Sequence, residues 1–278
     1  MGNREKLGIS HDSASCADRR LGAEARDQRV SAPPILSTKG LVYYSDCRGD
    51  EAILSAVRQQ LDHVRDTKPI IAVTLAPITW PRLMWGDEAI VVPFTRGYLT
   101  MFRQILIGLE ALDTDIAFLV EHDLLYSREH FEFTPPRPDV VYYNQNVFKV
   151  RASDGHAAHY PCSQTSGLCA NRELLVEHYR KRVALVEAHG FTRAMGFEPG
   201  THHRAERVDD LTSETWMSAV PNIDIRHGVN LTESRWSPEQ FRTKPSSWVE
   251  SDRVPGWGIT KGRFPEFLRD VLARKVAA

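Results

Sequence analysis

The segment from Gly40 to Asp123 limits what this chain can fold into more than any other. Leu41-Val42-Tyr43-Tyr44 is a short β-prone run, and the polar turn Ser45 to Asp50 follows it. Apolar residues then recur at Ile53, Leu54, Val57, Leu61 and Val64, which is helical spacing. Pro69 to Leu75 reads as a second buried strand. Tyr98 to Leu112 reads as a second helix, with Met101, Phe102, Ile105, Leu106 and Leu109 on its inner face, and Asp115 to Val120 as a third strand. Strand, helix, strand, helix, strand is the pattern of an α/β parallel sheet flanked by helices, where active sites collect beyond the carboxyl ends of strands. Glu121-His122-Asp123 stands at that place.

The rest of the chain is less regular. Val140 to Tyr143, Val147 to Val150 and Ile223 to Arg226 read as strands, and Asn171 to His189 as a helix. Arg235 to Gly258, rich in Trp, Pro and Gly, reads as loops packed across the domain, and Pro265 to Val276 as a last amphipathic helix. The 11 Phe, 6 Trp and 8 Tyr all lie at or after Tyr43. Residues 1–38 therefore read as a tail unable to bury enough surface to offset its ordering entropy, and residues 39–278 as a single domain. At 278 residues and a formal net charge of -1, the chain is not a general polyanion coat, which needs an excess of cations. Its longest apolar stretches fall short of the ~20 residues of a membrane span. The first twenty residues lack an apolar signal core, and the four cysteines form no CxxC pair. Both features point to the cytoplasm.

Side chains alternate along an extended chain, so Glu121 and Asp123 are expected to point the same way, where two carboxylates can hold a hard divalent cation. The competing reading is two acids that cap a turn or face water. His227 shares parity with Ile223 and Ile225, which suits either a neutral imidazole ligand or a buried histidine satisfied by a carbonyl. Arg48 and Arg96 suit a phosphate or the surface. Glu214 and Asp210, in Asp209 to Trp216, are read as acids at a helix start. They fit a general base or a first turn favoured by the helix dipole. Trp236, Trp248 and Trp257 fit stacking on a sugar or base, or anchoring of the loop region.

Asp115 to Asp123, preceded by the Gly97 to Leu112 helix, resembles the strand and acidic DxD-type motif of the GT-A fold glycosyltransferases, with Glu-His-Asp in place of the commoner Asp-x-Asp. The likeness extends over residues 39–235. It implies a GT-A-like, Rossmann-type, mostly parallel sheet flanked by helices. It also implies transfer of a hexose from a nucleotide-diphosphate sugar, a UDP-hexose by first choice, to a hydroxyl acceptor with inversion. By the same resemblance Glu121, Asp123 and His227 would hold Mn²⁺ or Mg²⁺. Tyr44, Ser45, Asp46, Arg48, Arg96, His122 and Asp123 would bind the donor. Ser166, Gly167, Asn230 and Trp236 would line the acceptor side, and Glu214 would be the base with Asp210 in reserve.

Pro221 to Thr232, with Arg235-Trp236-Ser237-Pro238 and Pro255-Gly256-Trp257-Gly258, resembles bacterial and phage glycosyltransferases associated with TET/JBP-type oxidation of DNA bases. That likeness implies a 5-hydroxymethylpyrimidine in DNA as acceptor. Residues 241–278 hold 8 Lys+Arg and 4 Asp+Glu, an excess that would track phosphates or simply solvate a helix. The alternatives are a transferase acting on a surface glycan, a lipid-linked precursor or a protein, and a GT-A-like domain that binds DNA or a partner without turnover.

Overall fold

Strict alternation along the central strands sends neighbouring residues into two different cores. In β1 (Lys39–Ser45), Leu41 and Tyr43 join the core that also holds Ile53, Val57 and Leu61 of α1 (Glu51–Val64). Val42 and Tyr44 join the opposite core. β2 (Ile70–Thr74) divides in the same way, Ile70 and Ala72 against Ile71 and Val73. Burial on both faces is why these strands read as continuous apolar runs in the sequence.

The computed structural model describes residues 37–80, 83–201 and 211–273. The expected tail therefore lies outside the described residues except for Ser37 and Thr38, and Asp210 lies outside them entirely. After β2 come β3 (Glu88–Val91), α2 (Tyr98–Ala111), β4 (Ile116–Glu121), the short α3 (Arg128–Glu132), β5 (Val140–Asn144), β6 (Leu168–Asn171), α4 (Arg172–His189), β7 (Thr212–Trp216) and α5 (Phe264–Ala273). The seven strands form one mixed sheet in the order β3-β2-β1-β4-β6-β5-β7, with β6 antiparallel to both of its neighbours. α1 and α5 contribute to one core, α2 and α4 to the other. Gly108 lets α2 settle on β1, since an added Cβ would stand 2.4 Å from Val42 Cγ1. The described residues from Ser37 onward belong to one compact unit.

The chain runs outward from β1 to β3 and then returns to lay β4 on the other side of β1. Strand order reverses there, and ligands of open α/β sheets bind outside the carboxyl ends at such a reversal. β4 ends there with Glu121.

Three strands of the main sheet resume, after a break, in a second sheet of five strands. β4 continues as Leu124–Leu125, β5 as Val147–Arg151 and β7 as Asn222–Arg226; Ala157–His159 and Val249–Ser251 complete it. This second sheet is what the irregular half of the sequence builds. One expectation is corrected: Thr212 to Trp216 does not open a helix but forms β7, in register with β5 from Thr212 opposite Val140 to Trp216 opposite Asn144. Thr212, Thr215 and Trp216 suit a pleated edge, and the backbone pairing overrides the helix-start reading of the acids. Among the described residues no helix is long and apolar enough to cross a membrane, and Cys47, Cys162 and Cys169 are free.

Candidate functional site

The break between β4 and Leu124–Leu125 consists of His122 and Asp123. Leu124 and Leu125 pair with Asp224 and Ile223, and the Ile225 N–H donates to the Asp123 carbonyl at 2.8 Å. This pairing carries the end of Asn222–Arg226, and with it His227, to the same place. One ligand atom from each of His122, Asp123 and His227 lies within 4.8 Å of the others. His227 Nε2 is 3.6 Å from Asp123 Oδ2, and both side chains are 8% exposed. Asp46, in the loop after β1, sets Oδ1 3.7 Å from His122 Nε2 and accepts from Arg96 Nε at 2.5 Å.

Asp123 Oδ1, His122 Nδ1 and both ring nitrogens of His227 are buried without a hydrogen-bond partner. Leaving such groups unmade costs about 1–3 kcal/mol each. Two imidazoles and a carboxylate are a donor set for a divalent cation, and of the two cations expected it suits Mn²⁺ better than the all-oxygen preference of Mg²⁺.

Glu121 stands outside this group. Its Oε1 accepts from the Tyr44 hydroxyl at 2.5 Å, and its N–H donates to Tyr126 Oη, which in turn donates to the Ser166 carbonyl. The alternation that would aim Glu121 and Asp123 together ends with the strand, because the chain turns at His122-Asp123 to change sheets. Burial and the Asp123 charge push the Glu121 carboxyl upward, against the pull of the Tyr44 hydrogen bond. For Asp123 burial also opposes ionisation, but His122, Arg226 and His227 outweigh it and hold the carboxyl below its ordinary value. The sequence reading missed His122 as a cluster member; its signal was the same turn.

The cluster opens on a cleft of about 500 Å³. Tyr44, Ser45, Asp46 and Arg96 line the part that belongs to the main sheet. Lys149, Gln164, Asp224 and Arg226 line the part built by the second sheet and its loops, and none of the four is among the site residues expected from the sequence. Lys149 Nζ donates to Gln164 Oε1 and Cys162 Sγ, each at 3.0 Å, and lies 4.6 Å above the Tyr160 ring. Burial opposes its charge, but Cys162 and Asp224 raise the ammonium above its ordinary value. The sequence signal was period two: Asp224 and Arg226 alternate with the buried Ile223 and Ile225.

The remaining candidates separate cleanly. Ser166 and Asn230 border the cleft, whereas Arg48, Gly167 and Trp236 are not among its walls. Arg48 is exposed in the loop after β1. Trp236 packs under Arg151, 5.0 Å from its guanidinium carbon, and beside His156. Trp257 is buried with its indole donating to the Pro221 carbonyl, and Trp248 stacks on Tyr160, so these tryptophans anchor the loop region. Glu214 lies on the edge strand β7, 46% exposed and 3.5 Å from Arg137, and does not reach the cleft. Four of the cations counted on for a phosphate track, Lys244, Lys261, Arg263 and Arg269, pair with Glu239, Asp252, Asp270 and Glu266.

No protein-family model matches the chain, and no curated protein matches it.

Proposed function

We propose that the protein is a metal-dependent glycosyltransferase of GT-A-like architecture. It would move a hexose from a nucleotide-diphosphate sugar to a hydroxyl acceptor. One observation carries the reading: a buried His122, Asp123 and His227 cluster with unpaired donor atoms, set at the reversal of strand order and open to a cleft of about 500 Å³. The first four strands, in the order 3-2-1-4, support it, because open α/β sheets tend to bind ligands where strand order reverses, here beyond the ends of β1 and β4.

His122, Asp123 and His227 would hold the cation. When bound, it supplies positive charge to the diphosphate that leaves with the nucleotide. Asp46 keeps Arg96 at the mouth of the donor side, where a guanidinium suits phosphate oxygens. Tyr44 holds Glu121 against the β1 side and so leaves Asp123 as the carboxylate of the centre. Glu214 has no part in this reading, because a base must lie within hydrogen-bond reach of the acceptor hydroxyl. The acceptor we put first is a 5-hydroxymethylpyrimidine in DNA. Lys149 and Arg226 line the second-sheet side of the cleft but share Asp224, at 3.9 and 3.4 Å, so this choice of acceptor rests on the resemblance of Pro221 to Thr232 alone.

The test is incubation with Mn²⁺, a panel of UDP-hexoses and paired duplexes carrying 5-hydroxymethylcytosine, 5-hydroxymethyluracil or unmodified bases. Nucleoside mass spectrometry and UDP release are the readouts. A hexose-sized mass gain on a hydroxymethyl base alone supports both donor and acceptor. UDP release without that product keeps the donor chemistry and moves the acceptor to a glycan, a lipid-linked precursor or a protein. Neither product, across all donors, overturns the transferase reading.

A further inference from the structure

We propose that Asn230 is a positioning residue of the metal centre, a clip that sets the orientation of the Asp123 carboxylate and fixes His227 beside it. The inference rests on the metal reading of the cluster. Asn230 Nδ2 donates to Asp123 Oδ2 at 2.7 Å, and Asn230 Oδ1 accepts from the His227 N–H at 2.7 Å. The orientation of the amide is fixed by its partners. A carboxylate only accepts and a backbone N–H only donates, so the nitrogen must face Asp123 and the oxygen His227.

The consequence for Asp123 is directional. Oδ2 accepts from the amide and lies 3.6 Å from His227 Nε2, while Oδ1 remains buried and unpaired, so the amide fixes how both oxygens face the cluster. A hydrogen bond to an ionised carboxylate is also stronger than a neutral one, which restrains rotation of that side chain. The same amide ties the start of the loop after Asn222–Arg226 to the break after β4. Asp123 and His227 come from strands remote in sequence, and one side chain bridges them. Arg96 secures the adjacent residue by donating to the Val229 carbonyl at 2.7 Å. Groups that orient metal ligands from behind are typically worth about 10–100-fold in metal affinity.

The experiment is a Mn²⁺ titration of the full chain, with free Mn²⁺ followed by electron paramagnetic resonance. Wild type, Asp123→Ala, Asn230→Ala, Asn230→Ser and Ser234→Ala are compared, each checked by thermal melting. Wild type is expected to bind and Asp123→Ala to lose binding. Asn230→Ala should weaken binding about 10–100-fold. Asn230→Ser keeps a hydroxyl for the His227 N–H but does not reach Asp123, so it should weaken binding as Asn230→Ala does. Ser234→Ala removes only the contact of Arg226 Nε with the same loop, 3.0 Å in the parent, and should keep wild-type affinity. In turnover, Asn230→Ala should raise the KM for Mn²⁺ and recover kcat when Mn²⁺ is saturating. Unchanged Mn²⁺ affinity in both Asn230 variants, beside a wild type that binds, overturns the positioning role alone. Equal weakening by Ser234→Ala overturns it too, in favour of a general loop tether. A wild type that binds no Mn²⁺ overturns the metal reading and this inference with it.

Discussion

Two buried polar clusters stand where strands leave the main sheet for the second sheet, and each is built around histidine. At the break after β4, His122, Asp123 and His227 leave four ring or carboxylate atoms without partners. At the breaks after β5 and β7, the groups around His130 largely satisfy one another, and of its ring nitrogens only Nε2 lacks a partner. Its Nδ1 lies 3.0 Å from Asn144 Nδ2 and 3.2 Å from Asn222 Nδ2, so that nitrogen accepts and the proton sits on Nε2. Asn144 Oδ1 accepts from the N–H groups of Asn146 and Ser218, its Nδ2 donates to Ser218 Oγ, and Asn222 Oδ1 accepts from Ser127 N–H. The ring stacks 5.5 Å from Trp216 and packs on Phe118 and Phe131. A buried histidine is therefore no signal by itself. The two clusters differ in degree: one ring nitrogen lacks a partner at His130, and four ligand atoms lack one at the break after β4.

The closed cluster should be costly to open. Asn144→Ala strands the buried N–H of Ser218 and the half-buried N–H of Asn146, and should destabilise the fold by about 2 kcal/mol in urea melts. A loss well under 1 kcal/mol would mean that water fills the gap and that this cluster is no tighter than the other. The open cluster should respond to a ligand instead. Mn²⁺ at a hundred times its Kd should stabilise the wild type by about 2.7 kcal/mol and leave Asp123→Ala unmoved, as read by thermal melting. An equal gain in both proteins would place the cation elsewhere and break the contrast.

Acid sharpens it further. Burial holds the His130 imidazole at about 3, far below its ordinary value of 6.5. Between those pH values the unfolded chain binds a proton that the folded chain refuses, so stability is lost as pH falls below about 6.5. From pH 7 to pH 5 the loss from His130 is about 2 kcal/mol. His178, also held at about 3 by burial and by Arg182, adds to it in the same direction. Urea melts across that range give the total, and the ring resonances of each histidine in an NMR titration assign the shares. A His130 that titrates near 6.5 would show an open joint.

How much of this the sequence disclosed follows from the range of the interactions. β1, α1, β2, α2 and β4 were legible because each carries its own period and packs on its neighbours in chain order. The place of Glu121-His122-Asp123 was legible for the same reason. Which of the three joins the cluster with His227 was not, because a turn ends the alternation after Glu121, and no local pattern encodes a turn that changes sheets. His227 was legible as a candidate only. Its partner Asp123 is reached through the pairing of Asn222–Arg226 with Leu124–Leu125, a strand too short to announce itself. The second sheet was mostly hidden because Ala157–His159 and Val249–Ser251 are three-residue strands that exist through pairing alone.

Glu214 tests the smallest effect and the boundary of the contrast. Its acids read as a helix start because Asp, Ser and Thr favour caps, yet parallel pairing with β5 draws the segment into the sheet edge. There its carboxylate is half exposed and faces Arg137 at 3.5 Å, a surface pair worth at most about 1 kcal/mol. Glu214→Gln preserves shape and removes only the charge, so stability should change by less than about 0.5 kcal/mol. UDP release with Mn²⁺ should be unchanged, since no atom of Glu214 borders the cleft. A tenfold fall in release with an unchanged melt would carry the acceptor out to the β7 edge. The chemistry would then span both ends of the sheet, and the separation between a more nearly satisfied joint on the β5 and β7 side and a more open cluster beside β4 would no longer describe the molecule.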